Sequence, residues 1–152
     1  MKNKIALTLI AATLAGTALA EVKPEDAIKY RQSGYAFMGW NMGRIKQNVE
    51  GQYNKDDVIK AANAIQAIAN SGMGALYLPG TDKGKGWEST RAKPEIWADK
   101  EKLGKVATDF NKEANELAKV AATGDQAAVK AQLGKLGATC KACHDDFRAK
   151  EH

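Results

Sequence analysis

The segment VKAQLGKLGATCKACHDDF, residues 129–147, has apolar side chains at the spacing of one helix face. These side chains step by 4, 3, 4, 3 and 4 residues and are Val129, Leu133, Leu136, Cys140, Cys143 and Phe147. Such a heptad seam is typical of a helix that packs against other helices. The only two cysteines of the sequence both lie on this seam, so we expect their thiols to face the interior of a bundle.

The pentapeptide CKACH, residues 140–144, is the attachment signature of c-type haem. In such a site the two thiols bind the porphyrin vinyl groups and the histidine binds the iron. A disulfide of an exported protein is one alternative. A thioredoxin-like site is disfavoured because no βαβ pattern is visible. Zinc needs four ligands, and only His152 remains to join the cluster.

Residues 1–20 have the pattern of a secretory signal peptide, in which Lys2 and Lys4 precede an apolar run ending in Ala-Leu-Ala. The run is too short for a spanning helix. We expect cleavage after residue 20, which leaves residues 21–152 as one periplasmic domain without a membrane partner. Loss of the two lysines lowers the formal net charge from +5 to +3. The sequence has no dense basic patch with interleaved aromatic residues, so we do not expect nucleic-acid binding.

A first helix is predicted from Pro24 to about Glu50, with Gly51 as its end. Its seam also has heptad spacing and consists of Ile28, Arg31, Tyr35, Met38, Met42, Ile45 and Val49. A charge such as Arg31 at a seam position needs a buried partner. Alternatively, Arg31 lies at the end of the bundle and extends its guanidinium to water.

Three more helices and one long loop complete the predicted domain. The loop, residues 75–93, has no periodicity and contains Trp87 as its expected anchor. Four helices with short first and third connections predict an all-α fold, an antiparallel up-down-up-down four-helix bundle with one covalent haem c. The predicted bounds are Asn54 or Asp56 to about Gly72 or Gly74, Pro94 to Gly124, and a last helix capped by Asp125.

Three stretches of the sequence resemble the cytochrome c′ family, the class II c-type cytochromes. They are PEDAIKYRQS (24–33), RAKPEIWADK (91–100) and GATCKACHDDFRAK (137–150). In class I cytochromes the haem motif lies near the N-terminus and a later methionine binds the iron, whereas here no methionine follows Met73. The resemblance covers essentially all of the chain after residue 20.

The resemblance also implies roles for individual side chains. Cys140 and Cys143 would form the thioether links, and His144 would be the proximal axial ligand of the iron. Arg148 matches a basic residue near the proximal histidine; alternatively, it interacts with the carbonyl groups of the last helical turn. Arg31 matches an arginine of the first helix for which a haem propionate is the expected partner.

Tyr35 matches the residue that covers the open, distal face of the iron. This residue is usually leucine, methionine or phenylalanine in the family, so tyrosine departs from the commoner pattern. The phenol could act as an apolar cover, donate a hydrogen bond to a bound ligand, or bind the iron as phenolate, although its ordinary pKa of about 10 disfavours the last. Met38 or Met42 as second axial ligand would instead give a six-coordinate, low-spin electron carrier; seam methionines more often fill the core.

The resemblance implies high-spin, five-coordinate iron that binds nitric oxide and carbon monoxide and largely excludes dioxygen. The expected role is nitric oxide binding or scavenging, electron transfer with an unidentified periplasmic partner, or both. A peroxidase is disfavoured because it needs a distal base, and the only histidine besides His144 is His152. We therefore expect a binding or electron-transfer protein rather than an enzyme.

A second face of the first helix predicts a homodimer. Its residues step by 4, 3 and 4 and are Tyr30, Gly34, Phe37 and Asn41. Trp40 adds a large apolar group, and Gly39 and Gly43 would let another helix approach closely. Aromatic residues outside a seam are typical of an interface, and the resemblance implies dimerisation through the first two helices. Alternatively, Phe37 and Trp40 pack under the loop that contains Trp87.

We predict that haem attachment depends on Cys140, Cys143 and His144. Protein matured in a host competent for c-type cytochromes should keep its haem through acid–acetone extraction, because thioether bonds survive this treatment. The double substitution of Cys140→Ser and Cys143→Ser should release it. Free extraction of haem from the unsubstituted protein would contradict the covalent site.

Overall fold

The computed structural model describes residues 22–150. The predicted signal peptide and His152 lie outside the described residues. Within the described range, none of the helices combines the length and apolar character of a membrane span.

Five α-helices make up the described domain, with one 3-10 turn at Met73–Leu76. They are α1 (Pro24–Glu50), α2 (Lys55–Ala69), α3 (Glu95–Ala98), α4 (Lys100–Thr123) and α5 (Gln126–Phe147). The four long helices confirm the predicted bundle. The single predicted third helix is wrong in one respect, because Asp99 leaves helical geometry and divides it into α3 and α4.

Side-chain caps determine where three of the long helices begin. Asn54 accepts a hydrogen bond from the backbone N–H of Asp57 at the start of α2. Asp99 and Asp125 do the same for the third residues of α4 and α5. These contacts satisfy N–H groups that have no partner within the helix and typically stabilise it by about 1 kcal/mol each.

The four long helices pack in the cyclic order α1, α2, α4, α5, and the α1–α5 contact is the smallest of the four. Their seam residues form one core, which contains Ile45, Val49, Val58, Ala61, Ala62, Ile65, Ala114, Leu117, Ala121, Val129 and Leu136. Neighbouring helices run antiparallel. The start of α1, the end of α5 and the loop between α2 and α3 therefore lie at the same end of the bundle.

Backbone pairing connects that loop to the end of α5. The N–H of Lys93 donates to the carbonyl of Phe147 at 3.0 Å, and the N–H of Ala149 donates to the carbonyl of Arg91 at 2.8 Å. Lys93 Nζ also donates to the carbonyls of Asp145 and Asp146 at the end of the helix. The CKACH segment is thus fixed from both the bundle and the loop.

Candidate functional site

Cys140, Cys143 and His144 lie on the last two turns of α5. Both thiols are free and half-buried. Burial raises the pKa of each thiol above its ordinary value, whereas redox-active cysteines usually sit at a helix N-terminus that lowers it. The environment is therefore that of protonated structural thiols and disfavours the redox alternative.

His144 is exposed on α5, and Arg148 lies one turn later on the same face. Partial burial, and then the charge of Arg91, lower the pKa of the His144 imidazole below its ordinary value. Its ring is consequently neutral at pH 7, which is the form that binds metals. Arg148 Nη1 lies 3.5 Å from His144 Nδ1, so the predicted pair of His144 and Arg148 is adjacent.

The donor set of this helix face fits a haem c. It offers two thiols, one turn apart, for the vinyl groups and a neutral imidazole for the iron. Within residues 22–150, the structure brings together no group of three or more His, Cys, Asp or Glu side chains that could hold a metal ion directly. The described residues therefore give no support to zinc.

Tyr35 lies on α1, which packs against α5. Its side chain is 42% exposed, and its hydroxyl is 2.9 Å from the hydroxyl of Tyr77. Partial burial of the phenol, and then the neighbouring Tyr77, raise the pKa of Tyr35 far above its ordinary value. The phenol is neutral at physiological pH, so the phenolate alternative is disfavoured by its surroundings.

Tyr77 is the hydrogen-bond partner of Tyr35, and the sequence did not predict it. It belongs to the loop after the 3-10 turn, where no periodic pattern predicts which side chains point inward. Trp97 Nε1 donates to the carbonyl of Tyr77 at 3.0 Å, and the two rings meet edge to face at 6.4 Å. The length of the loop was the one signal in the sequence that indicated a functional segment.

Arg31 is buried and binds the same loop. Its Nη1 donates to the carbonyl of Leu76 at 2.9 Å and to Thr81 Oγ1 at 2.6 Å, and its Nη2 donates to the carbonyl of Thr81 at 2.9 Å. The guanidinium also lies 4.5 Å from the centre of the Tyr77 ring. The Arg31 guanidinium thus binds groups of the loop instead of extending to water. Its contact with a haem propionate stays a prediction.

Met38 and Met42 differ in their surroundings. Met38 is buried, one turn after Tyr35. Met42 is half-buried and lines a surface cavity of about 380 Å³ between α1 and α5, together with Val49 and Leu133. Leu133 lies seven residues before Cys140, roughly 10 Å along the helix. Met42 therefore lies at the level of Leu133, away from the haem-binding turns along the bundle axis.

The predicted second face of α1 is only partly right. Tyr30, Phe37 and Trp40 are exposed by 54%, 50% and 56%, and the last two stack at 5.5 Å. Gly34 instead faces the loop, because a Cβ there would lie 2.9 Å from Met73 Cε. Asn41 is fully buried and donates to the carbonyl of Phe37 at 2.9 Å.

The loop tryptophan does not provide the alternative cover for this face. Trp87 Nε1 donates to Ser33 Oγ at 2.8 Å, and Lys29 Nζ lies 5.3 Å from the centre of its ring. Phe37 and Trp40 remain half-exposed. The exposed aromatic face of α1 therefore consists of Tyr30, Phe37 and Trp40.

Known proteins similar to this chain share both its sequence and its fold. The cytochrome c′ of Rhodocyclus tenuis is 66% identical over 130 residues, which cover 85% of this chain and 98% of that protein. The cytochrome c′ of Allochromatium vinosum is 55% identical over 154 residues, covering 99% of this chain and 100% of that protein. A solved cytochrome c′ with an unusual ligand-controlled dimer dissociation is 58% identical, with a TM-score of 0.83, and covers 86% of this chain and 100% of that chain.

Two solved structures of cytochrome c′ variants from Alcaligenes xylosoxidans contain gaseous ligands. One is a nitric oxide complex, 34% identical with a TM-score of 0.76, covering 86% of this chain and 99% of that chain. The other is a carbon monoxide complex, 35% identical with a TM-score of 0.75, covering 84% of this chain and 98% of that chain.

A family model described as Cytochrome C' matches residues 26–148, from the first turns of α1 to the arginine after α5. Proteins of this family have one covalent haem c as their cofactor, in agreement with the donor set on α5. The chain belongs to the cytochrome c′ family.

Proposed function

We propose that the chain is a periplasmic, single-haem cytochrome whose five-coordinate iron binds nitric oxide and carbon monoxide. Its role is nitric oxide binding or scavenging, with electron transfer to an unidentified redox partner as the accompanying function, and it performs no catalysis. The observation that carries the proposal is the neutral Tyr35 phenol on α1, the helix next to α5, whose hydroxyl is hydrogen-bonded to Tyr77.

In this proposal Cys140 and Cys143 hold the porphyrin through thioether bonds, and His144 is the proximal ligand. The haem supplies an iron centre that binds diatomic gases. The chain supplies the proximal imidazole, which burial and Arg91 keep neutral. Arg148, adjacent to His144 Nδ1, is the basic residue on the proximal side.

The distal side is formed by α1 and the loop. Tyr35 covers this side as a bulky, uncharged ring and offers no strong ligand of its own. Arg31 fixes the loop behind Tyr35 and is the proposed partner of a propionate. The nitric oxide and carbon monoxide complexes of the Alcaligenes xylosoxidans relatives support the proposed binding of these gases.

Periplasmic location follows from the proposed signal peptide at residues 1–20. A haem of the c type also suits an exported protein, since its two cysteines are consumed in thioether bonds.

A second candidate is a six-coordinate electron carrier in which Met38 binds the iron. The observation in its favour is that Met38 is buried one turn after Tyr35 on the same helix. The absorption spectrum of the reduced protein separates the two candidates. We expect a high-spin spectrum that changes at once on addition of carbon monoxide. Sharp α and β bands with little response to the gas would overturn the five-coordinate proposal and favour methionine ligation.

Tyr35 should control the access of gas to the iron. We expect Tyr35→Ala to speed carbon monoxide binding to the ferrous protein by about tenfold or more, because it removes the bulk over the distal side. Tyr35→Phe retains the ring and separates the effect of bulk from that of the hydroxyl. Association rates measured by flash photolysis test both. Wild-type rates in both variants would show that Tyr35 does not cover the iron.

The exposed aromatic face of α1 supports a homodimer. Three large side chains, Tyr30, Phe37 and Trp40, are about half exposed on one side of α1. A Cβ added at Gly39 or Gly43 would meet no neighbouring group within 4 Å, so a second helix can approach closely. An isologous contact between two copies of α1 would remove these aromatic groups from water. The ligand-controlled dimer of the 58% identical relative agrees with this proposal.

Light scattering at micromolar concentration should therefore give the mass of a dimer. Phe37→Lys should shift the mass to that of a monomer, because it places a charge in the apolar contact. Ala107→Lys is the matched control, since it adds the same charge at an exposed position of α4 and should leave the dimer intact. A monomer mass for the unsubstituted protein that stays constant over a tenfold rise in concentration would contradict the dimer.

A further inference from the structure

The hydroxyl pair of Tyr35 and Tyr77 joins α1 to the loop at the distal side of the site. The two oxygens are 2.9 Å apart, and the residues are 42 positions apart in the chain. A role for Tyr77 at this place rests on the proposed function, in which Tyr35 covers the iron. Neither the sequence pattern nor the family resemblance gave Tyr77 such a role.

Tyr77 is held on two sides by contacts that do not involve its hydroxyl. The Arg31 guanidinium lies 4.5 Å from the centre of its ring. The Trp97 indole meets the ring edge to face and donates to the Tyr77 carbonyl at 3.0 Å. Cation–π and edge-to-face contacts of this kind stabilise the position of a ring. These contacts with Arg31 and Trp97 therefore fix the position of the Tyr77 hydroxyl beside Tyr35.

Buried polar contacts in turn hold the backbone around Tyr77. Arg31 donates to the carbonyl of Leu76, directly before Tyr77, and to both the hydroxyl and the carbonyl of Thr81. Thr81 is fully buried. Because buried hydrogen bonds to a charged group are costly to break, the backbone around Tyr77 is more firmly held than the partly exposed ring of Tyr35.

We propose that Tyr77 is a positioning residue that holds Tyr35 over the distal side of the iron through their hydroxyl–hydroxyl hydrogen bond. A gas molecule reaches the iron when the Tyr35 ring swings aside, and this motion breaks the bond to Tyr77. The strength of the bond thereby sets the rate of ligand entry. Tyr77 acts on the ligand only through Tyr35.

Removal of the Tyr77 hydroxyl tests this proposal. Tyr77→Phe keeps the ring that contacts Arg31 and Trp97 and deletes only the partner of Tyr35. In the ferrous holoprotein, we expect carbon monoxide association to be about two- to tenfold faster, the factor that corresponds to one net neutral hydrogen bond. Tyr35→Phe should produce a similar increase. Tyr53→Phe is the matched control, because the Tyr53 hydroxyl is buried without a hydrogen-bond partner among the described residues, and its rate should equal that of wild type.

The double variant Tyr35→Phe/Tyr77→Phe distinguishes positioning from general loosening of the loop. If Tyr77 acts through the Tyr35 hydroxyl, its substitution has no further effect once that hydroxyl is absent, and the double variant matches Tyr35→Phe. If Tyr77→Phe loosens the loop, it speeds binding equally in both backgrounds. Additive effects, or a wild-type rate in Tyr77→Phe, would overturn the proposal.

The Tyr35→Ala variant distinguishes failure of the Tyr77 proposal from failure of the proposed function. An altered rate in Tyr35→Ala together with a wild-type rate in Tyr77→Phe refutes only the role of Tyr77. A wild-type rate in Tyr35→Ala shows that Tyr35 does not cover the iron, which refutes the distal assignment and the role of Tyr77 with it.

Discussion

A buried positive charge on α1 holds the loop between α2 and α3 against the helix bundle. Arg31 has no carboxylate among its described hydrogen-bond partners; carbonyl and hydroxyl oxygens of the loop bind its guanidinium instead, and the face of Tyr77 lies against it. An unpaired guanidinium within a bundle would be very costly. The loop must therefore fold back onto α1 to satisfy this charge, and in doing so it brings Tyr77 to Tyr35 and the segment before α3 to the end of α5.

This arrangement gives the two sides of the site different origins. The proposed proximal side comes from a single helix, in which spacing along the sequence is enough to place two thiols and an imidazole on adjacent turns. The proposed distal side needs contacts between residues 31 and 81 and between residues 35 and 77. Hydrogen bonds of such long range form only when the bundle and the loop are both in place, so the geometry around Tyr35 depends on the whole tertiary structure.

The same difference explains what the sequence could predict. Pro24, the cap Asp125 and the heptad seams are local signals, and they predicted α1 and α5 nearly to the residue. The break at Asp99 had no such signal, because buried Ile96 and half-buried Leu103 lie seven residues apart, a heptad step that a continuous helix would also show. Asn41 was assigned to the outer face although it lies three residues after Met38 and four before Ile45, which places it on the buried side. Tyr77 had no such signal, because loop residues find their partners through tertiary contacts alone.

The division between helix seam and loop has a consequence for how this protein can diversify. The core of the bundle is made by Ile, Leu, Val and Ala side chains of the four long helices, none of which belongs to the loop. Loop positions other than Thr81, which binds Arg31, and residues 91–93, which pair with the end of α5, can therefore change while the bundle core and the CKACH segment remain the same. Under the proposed function, selection among small ligands can evolve at these positions independently of the selection that maintains the fold.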